Sequence, residues 1–131
     1  MVSESGLEGL RILLVEDEYL PATEVADMLD ALGIEVIGPI PDLEGAMAVA
    51  GRETFDGAIL DVNLRGEAVF PVAEQLLARN TPFLFATGYD EWVLPERFRD
   101  FPRLTKPFDK LSLERMTLRM LERSSRPTEA G

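Results

Sequence analysis

The sequence predicts a three-layer α/β sandwich, with one parallel five-stranded sheet between two layers of helices. Three observations predict it. Apolar runs alternate with stretches of helical periodicity, a pattern that builds a parallel sheet through right-handed crossovers. The central runs are continuously apolar, as in strands covered on both faces. Four runs also end on a charged or reactive side chain. Residues 12–15 lead to Glu16 and Asp17, 57–60 to Asp61, 83–86 to Thr87, and 103–105 to Lys106. In an open α/β sheet the carboxyl ends of the strands form the ligand-binding edge.

The first strand is read at 11–15. Leu20, Val25, Met28, Leu29 and Leu32 follow at helical spacing, and Gly33 suits a C-cap. The second strand covers 35–40, where Pro39 and Pro41 confine it to a sheet edge or strand end. Leu43, Ala46, Met47 and Ala50 mark a second helix closed by Gly51. The third strand is 57–61, and 62–67 reads as a loop. Val69, Val72, Ala73, Leu76 and Leu77 then form the stripe of a third helix. Asn80-Thr81-Pro82 turns the chain into a fourth strand at 82–86. The fifth strand is short, 103–105, and a last helix runs from about 109 to 121.

A fourth helix belongs between the last two strands. There, residues 88–102 carry Pro95 and Pro102 and no clear apolar stripe. A shortened or irregular fourth helix is expected, with a turn starting at Pro95. The proline-bearing second strand and the short fifth strand suit sheet edges. The flavodoxin-like order 2-1-3-4-5 puts them there. Residues 1–9 read as a flexible N-terminal tail, 10–122 as the folded domain and 123–131 as a flexible C-terminal tail.

The bulk numbers exclude several function classes. At 131 residues and 14.6 kDa the length fits one domain and leaves no room for a separate output domain. Hydrophobic residues at 46% fit a globular chain. No apolar stretch approaches the roughly 20 residues that span a bilayer, and no basic, then apolar leader opens the chain. A cytoplasmic location is expected. The absence of cysteine and histidine removes disulfide, thiolate and imidazole chemistry. A formal charge of −11 argues against a nucleic-acid partner and favours protein partners.

In the expected strand order Asp61 sits on the central strand, with Glu16 and Asp17 on one side and Thr87 on the other. Adjacent strands lie about 4.8 Å apart, so only a long side chain such as Lys106 crosses most of the two-strand gap. Three carboxylates so close repel unless protonated or neutralised by a cation. Mg²⁺ fits: it is hard, takes oxygen ligands and uses one or two carboxylates plus substrate phosphate. With the metal present, an Asp carboxylate can attack a phosphoryl group. Thr87 and Lys106 can then each take a phosphoryl oxygen, a scheme that needs no base.

These residues carry a resemblance. Leu14-Val15-Glu16-Asp17-Glu18, Leu60-Asp61-Val62-Asn63-Leu64, Ala86-Thr87-Gly88 and Thr105-Lys106-Pro107-Phe108 resemble the motifs of the receiver (response regulator) domain of two-component signalling. The stretch Pro82-Phe83-Leu84-Phe85-Ala86-Thr87-Gly88-Tyr89 resembles the Pro-Phe-x-Phe-Ala-Thr-Gly-Tyr signature of a single-domain alphaproteobacterial subfamily. The resemblance implies Asp61 as phosphoacceptor, Glu16 and Asp17 as the acidic pair, and a metal-binding backbone carbonyl at Asn63. It implies Thr87 as switch hydroxyl, Lys106 as phosphate-pairing amine and a cis Lys106-Pro107 peptide. The partners it implies are a histidine kinase or phosphotransfer protein and a downstream protein. The chain would assist its own phosphorylation and dephosphorylation without being an enzyme otherwise.

One position departs from the family. Many receivers place an aromatic three residues before the lysine, and here Arg103 stands there. Tyr89, Trp92, Phe98, Phe101 and Arg103 are the candidate output residues, although partly buried packing is the commoner role for Trp92, Phe98 and Phe101. The alternatives are a phosphate sink without output partner and an aspartate-nucleophile phosphatase. The latter needs a second acid two residues after the nucleophile, where Asn63 stands.

Overall fold

The computed structural model describes residues 6–88 and 94–125. The elements are β1 (Arg11–Val15), α1 (Tyr19–Ala31), β2 (Glu35–Ile40), α2 (Leu43–Arg52), β3 (Gly57–Asp61), β4 (Asn63–Leu64), β5 (Glu67–Ala68), α3 (Phe70–Ala78), β6 (Phe83–Thr87), a 3₁₀ turn (Glu96–Phe98), β7 (Arg103–Thr105) and α4 (Lys110–Ser125). The main sheet is parallel in the order β2-β1-β3-β6-β7. Counting its five strands along the chain, that is the flavodoxin-like 2-1-3-4-5 order.

Strand alternation divides the core into two layers. Leu13 and Val15 of β1, Ala58 and Leu60 of β3, and Phe83 and Phe85 of β6 pack towards α2, α3 and the 3₁₀ turn. Ile12, Leu14, Ile59, Leu84 and Ala86 point the other way and meet Val25 and Leu29 of α1 and Leu113 and Met120 of α4. Every residue of β3 and of β6 is buried, as the continuous apolar runs require. The edge strand β2 is half-exposed and accommodates Pro39.

Several expectations are corrected. Leu7 and Gly9, assigned to a flexible tail, are tied to the fold: Leu7 is fully buried and the Gly9 N–H donates to the Gly33 carbonyl at 2.8 Å. Gly51 lies inside α2, which ends one residue later with Glu53 as C-cap. The expected 62–67 loop contains the antiparallel β4–β5 pair. Its turn residues Arg65 (φ 52°) and Gly66 (φ 88°) both have positive φ, the signature of a tight two-residue hairpin. Leu20 and Leu77, counted in core stripes, are exposed. Each is apolar by sequence but lies on the outer face of its helix. The last helix runs on to Ser125. The shortened fourth helix is met as expected: among the described residues it is a 3₁₀ turn, Glu96–Phe98, capped by Pro95.

Candidate functional site

Register brings the predicted residues to one edge. Val15 pairs with Leu60 and Asp61 with Ala86, so Glu16, Asp61 and Thr87 leave three adjacent strands at nearly one level. Thr87 pairs with Thr105, and Lys106 follows directly. The Lys106 Nζ lies 2.6 Å from Glu16 Oε1 and 3.3 Å from Asp61 Oδ2. One long amine thus spans from the edge strand β7 to two acids on inner strands. The Lys106-Pro107 peptide is cis, as the resemblance implied.

The electrostatics follow from crowding carboxylates at a buried position. Glu16, Asp61 and Thr87 are all buried. Burial pushes the Asp61 carboxyl up to about 8, and the hydrogen bond and charge of Glu16 add to the rise. The Lys106 charge works against that rise, and a hydrogen bond with Asp17 adds to it. Burial tends to lower the Lys106 ammonium, but Glu16 and Asp61 outweigh it and hold the group above its ordinary value.

Backbone donors fix the acids. The Asn63 N–H donates to Asp61 Oδ1 at 3.3 Å, and the Glu18 N–H to Glu16 Oε2 at 3.2 Å. The Arg65 N–H, from the tip of the β4–β5 hairpin, donates to Asp17 Oδ2 at 3.0 Å. The Asn63 side chain is used within that hairpin, accepting the Gly66 N–H at 2.9 Å. The Val62 carbonyl takes the Val69 N–H across the ladder. Antiparallel alternation therefore turns the next carbonyl, that of Asn63, away from the partner strand.

The donor set fits a hard divalent cation. Carboxylate oxygens of Glu16, Asp17 and Glu18 lie within 4.8 Å of one another, and the Asp61 carboxyl stands beside them, hydrogen-bonded with Glu16 and Asp17. Glu18 was not singled out by sequence reasoning, although the Glu16-Asp17-Glu18 run was in view. The hairpin anchor on Asp17 was also missed, because it depends on the turn formed by Arg65 and Gly66.

The expected output residues divide. Tyr89 and Trp92 lie outside the described residues. Phe98 is fully buried, stacked on Phe70 at 5.8 Å and edge-on to Phe83 and Phe85. Phe101 is half-buried and stacked on Phe83 at 4.7 Å. Phe98 is core packing, and Phe101 is partly packed against the same rings, the commoner role expected of both; the β6 phenylalanines supply the apolar neighbours that draw them in. Arg103 is exposed on the edge strand.

No family model matches the chain. The curated relative LytT of Bacillus subtilis, a sensory transduction protein, is 34% identical over 121 residues, 89% of this chain and 50% of its own length. The chain spans about half the length of the curated relatives it matches first. The solution structure of SdrG from Sphingomonas melonis Fr1 is 43% identical, with a TM-score of 0.79 over 88% of this chain and 97% of SdrG. The receiver domain of the sensor histidine kinase PA1611 from Pseudomonas aeruginosa, solved with magnesium in its active-site cleft, is 25% identical. Its TM-score is 0.72 over 87% of this chain and 98% of that domain. Among the described residues no helix is long and apolar enough to cross a membrane. With this strand order, and with such identity to SdrG across nearly its whole length, the chain belongs to the receiver-domain family of two-component response regulators.

Proposed function

We propose that this chain is a stand-alone receiver of the single-domain, Pro-Phe-x-Phe-Ala-Thr-Gly-Tyr kind, which takes a phosphoryl group on Asp61 and signals through protein contacts. The observation that carries the reading is the buried Asp61 carboxyl, which has Glu16 beside it and the Lys106 amine 3.3 Å away. The 43% identity to SdrG, for which a beryllofluoride-activated conformation is also solved, supports it.

Glu16, Asp17 and Asp61, with the Asn63 carbonyl, would hold Mg²⁺, and Glu18 stands within reach of the same cluster. When bound, that ion would neutralise the clustered carboxylates and the incoming phosphoryl oxygens. An Asp61 oxygen attacks the phosphorus of a phosphohistidine on a kinase or phosphotransfer protein. The phosphorus–nitrogen bond breaks and an acyl phosphate forms. Lys106 gives up its contact with Asp61 and pairs with a phosphoryl oxygen, and the Thr87 hydroxyl donates to another. Water later attacks the phosphorus, the bond to the Asp61 oxygen breaks, and inorganic phosphate leaves with the carboxylate restored; the same site residues assist this dephosphorylation. All of this would take place in the cytoplasm.

The test is incubation with a small-molecule phosphodonor, with and without Mg²⁺, followed by intact-mass measurement. The wild type should gain one phosphoryl group only with Mg²⁺, and Asp61→Ala none. Equal gain by Asp61→Ala would refute the assignment.

A further inference from the structure

Arg65 stands at the tip of the β4–β5 hairpin with φ 52°, followed by Gly66 with φ 88°. Asn, Asp and Gly adopt this conformation more readily, and they are the residues such a turn favours. The Asn63 side chain closes the turn on the Gly66 N–H, so the turn asks nothing of the Arg65 side chain. The bond that fastens Asp17 uses the Arg65 main chain alone, whose N–H donates to Asp17 Oδ2 at 3.0 Å. Any residue but proline supplies that donor. Turn and anchor therefore account for the backbone and leave the guanidinium without a task in the fold.

Arg65 is exposed, and among the described residues its guanidinium makes no ion pair. Lys106, by contrast, is committed to Glu16 at 2.6 Å and to Asp61 at 3.3 Å. The two cations reach the site from different directions. Arg65 belongs to the hairpin that directly follows β3 and is tied to Asp17, which follows β1. Lys106 follows β7, on the other side of β3 in the sheet. A phosphoryl group nearing this edge meets the carboxylates of Glu16, Asp17 and Glu18 on a chain of charge −11. Like charge opposes its approach, and a free cation at the rim offsets that opposition. Arginine suits the task, since its planar fork of donors matches phosphate oxygens.

We propose that Arg65 is a phosphate-recognition residue, whose guanidinium takes an oxygen of the phosphoryl group as that group arrives on its donor. The inference rests on the reading of Asp61 as phosphoacceptor and adds a second cation to that site. Arg65 keeps its proton and forms no bond to phosphorus. The bond made is from the Asp61 oxygen to phosphorus, and the bond broken is the one to the donor's leaving atom, which departs with its electron pair. Lys106 must release Asp61 before it pairs with a phosphoryl oxygen, whereas Arg65 has no ion-pair partner to release among the described residues. Arg65 therefore acts first, in capture of the anionic group, and its effect falls on the rate of loading. Mg²⁺ binding would draw on the carboxylates and on the Arg65 N–H that fixes Asp17, and not on the guanidinium.

The test compares the full-length wild type with Arg65→Asn, Arg65→Lys and Arg65→Glu. Asparagine suits the positive φ and keeps the N–H, so Arg65→Asn removes the charge and preserves the hairpin. Each protein is mixed with acetyl phosphate and Mg²⁺ and quenched at intervals, and intact mass gives the loading rate against donor concentration. At low donor concentration Arg65→Asn should load about tenfold more slowly than wild type. Arg65→Lys should fall between the two, and Arg65→Glu should be slower still. Added salt should slow the wild type more than Arg65→Asn. Mg²⁺ affinity, measured by calorimetry, should not fall in Arg65→Asn. Equal loading by wild type and Arg65→Asn overturns the proposal and leaves the reading of Asp61 standing. Slower loading matched by an equal loss of Mg²⁺ affinity also overturns it, because Arg65 then serves only the hairpin. A wild type that gains no phosphoryl group, or an Asp61→Ala variant that gains one equally, overturns the reading of Asp61 and this proposal with it.

Discussion

Asp61 carries the electrostatic tension of the site. Its carboxyl is raised from 3.8 to about 8, first by burial and then by Glu16. Between those values the folded chain holds a proton that the unfolded chain has released. Without metal, stability should therefore fall as pH rises through this window and level off above about 8. Asp61→Asn should flatten the slope and add on the order of a few kcal/mol at pH 9. Urea melts at pH 5 and pH 9 check this, and parallel profiles for the two proteins would contradict it. On the proposed function Mg²⁺ would supply the same compensation by charge, so Asp17→Asn should weaken Mg²⁺ binding about tenfold or more, measured by calorimetry. Unchanged affinity would remove Asp17 from the metal site.

At the scale of elements, the β4–β5 hairpin and the 3₁₀ turn decide how the site is framed. The hairpin tip places the Arg65 N–H on Asp17 only because Arg65 and Gly66 adopt positive φ. Gly66→Val has open space around it but a disfavoured backbone. It should cost about 1–2 kcal/mol and weaken Mg²⁺ binding together with stability. A variant that loses stability but binds Mg²⁺ normally would detach the hairpin from the site. The 3₁₀ turn is fastened from inside, by Phe98 among four other phenylalanines, and from outside, by the Arg97–Glu74 ion pair. Phe98→Ala should cost roughly 3–5 kcal/mol in a denaturant melt, as for a core ring. A near-neutral result would return Phe98 to the surface. The exposed pair Arg97–Glu74 should contribute under about 1 kcal/mol.

Over the whole molecule, the sequence was most legible where burial is two-sided. The runs at β1, β3 and β6 fixed their own boundaries within a residue, because covered strands tolerate few polar residues. The polar residues at their ends located Glu16, Asp61 and Thr87 for the same reason. Legibility failed where tertiary contact overrides local pattern. Leu7 is a lone apolar residue in a polar, glycine-containing stretch, and only the packed fold shows that it joins the core layer that holds Ile12 and Ile34. Leu20 fits a helical stripe, yet that stripe is wider than the face α1 buries. The hairpin at 63–68 is too short for period-2 alternation to register. Phe98 and Phe101 stood in a segment without periodicity, so their burial could not be read from spacing.

On the proposed function, this edge of the sheet carries a phosphoryl group on one particular carboxylate. Glu16 and Asp17 are close enough to be rivals, so the position itself must be found. The protein is phosphorylated with a small-molecule donor and Mg²⁺, then reduced with borohydride, which converts an acyl phosphate to the corresponding alcohol. Peptide sequencing by mass spectrometry then reads where that alcohol lies. Homoserine is expected at position 61 and nowhere else, with the yield reduced in Lys106→Met. Reduction at Glu16 or Asp17, or no reduced residue in a protein that has gained phosphoryl mass, would contradict it.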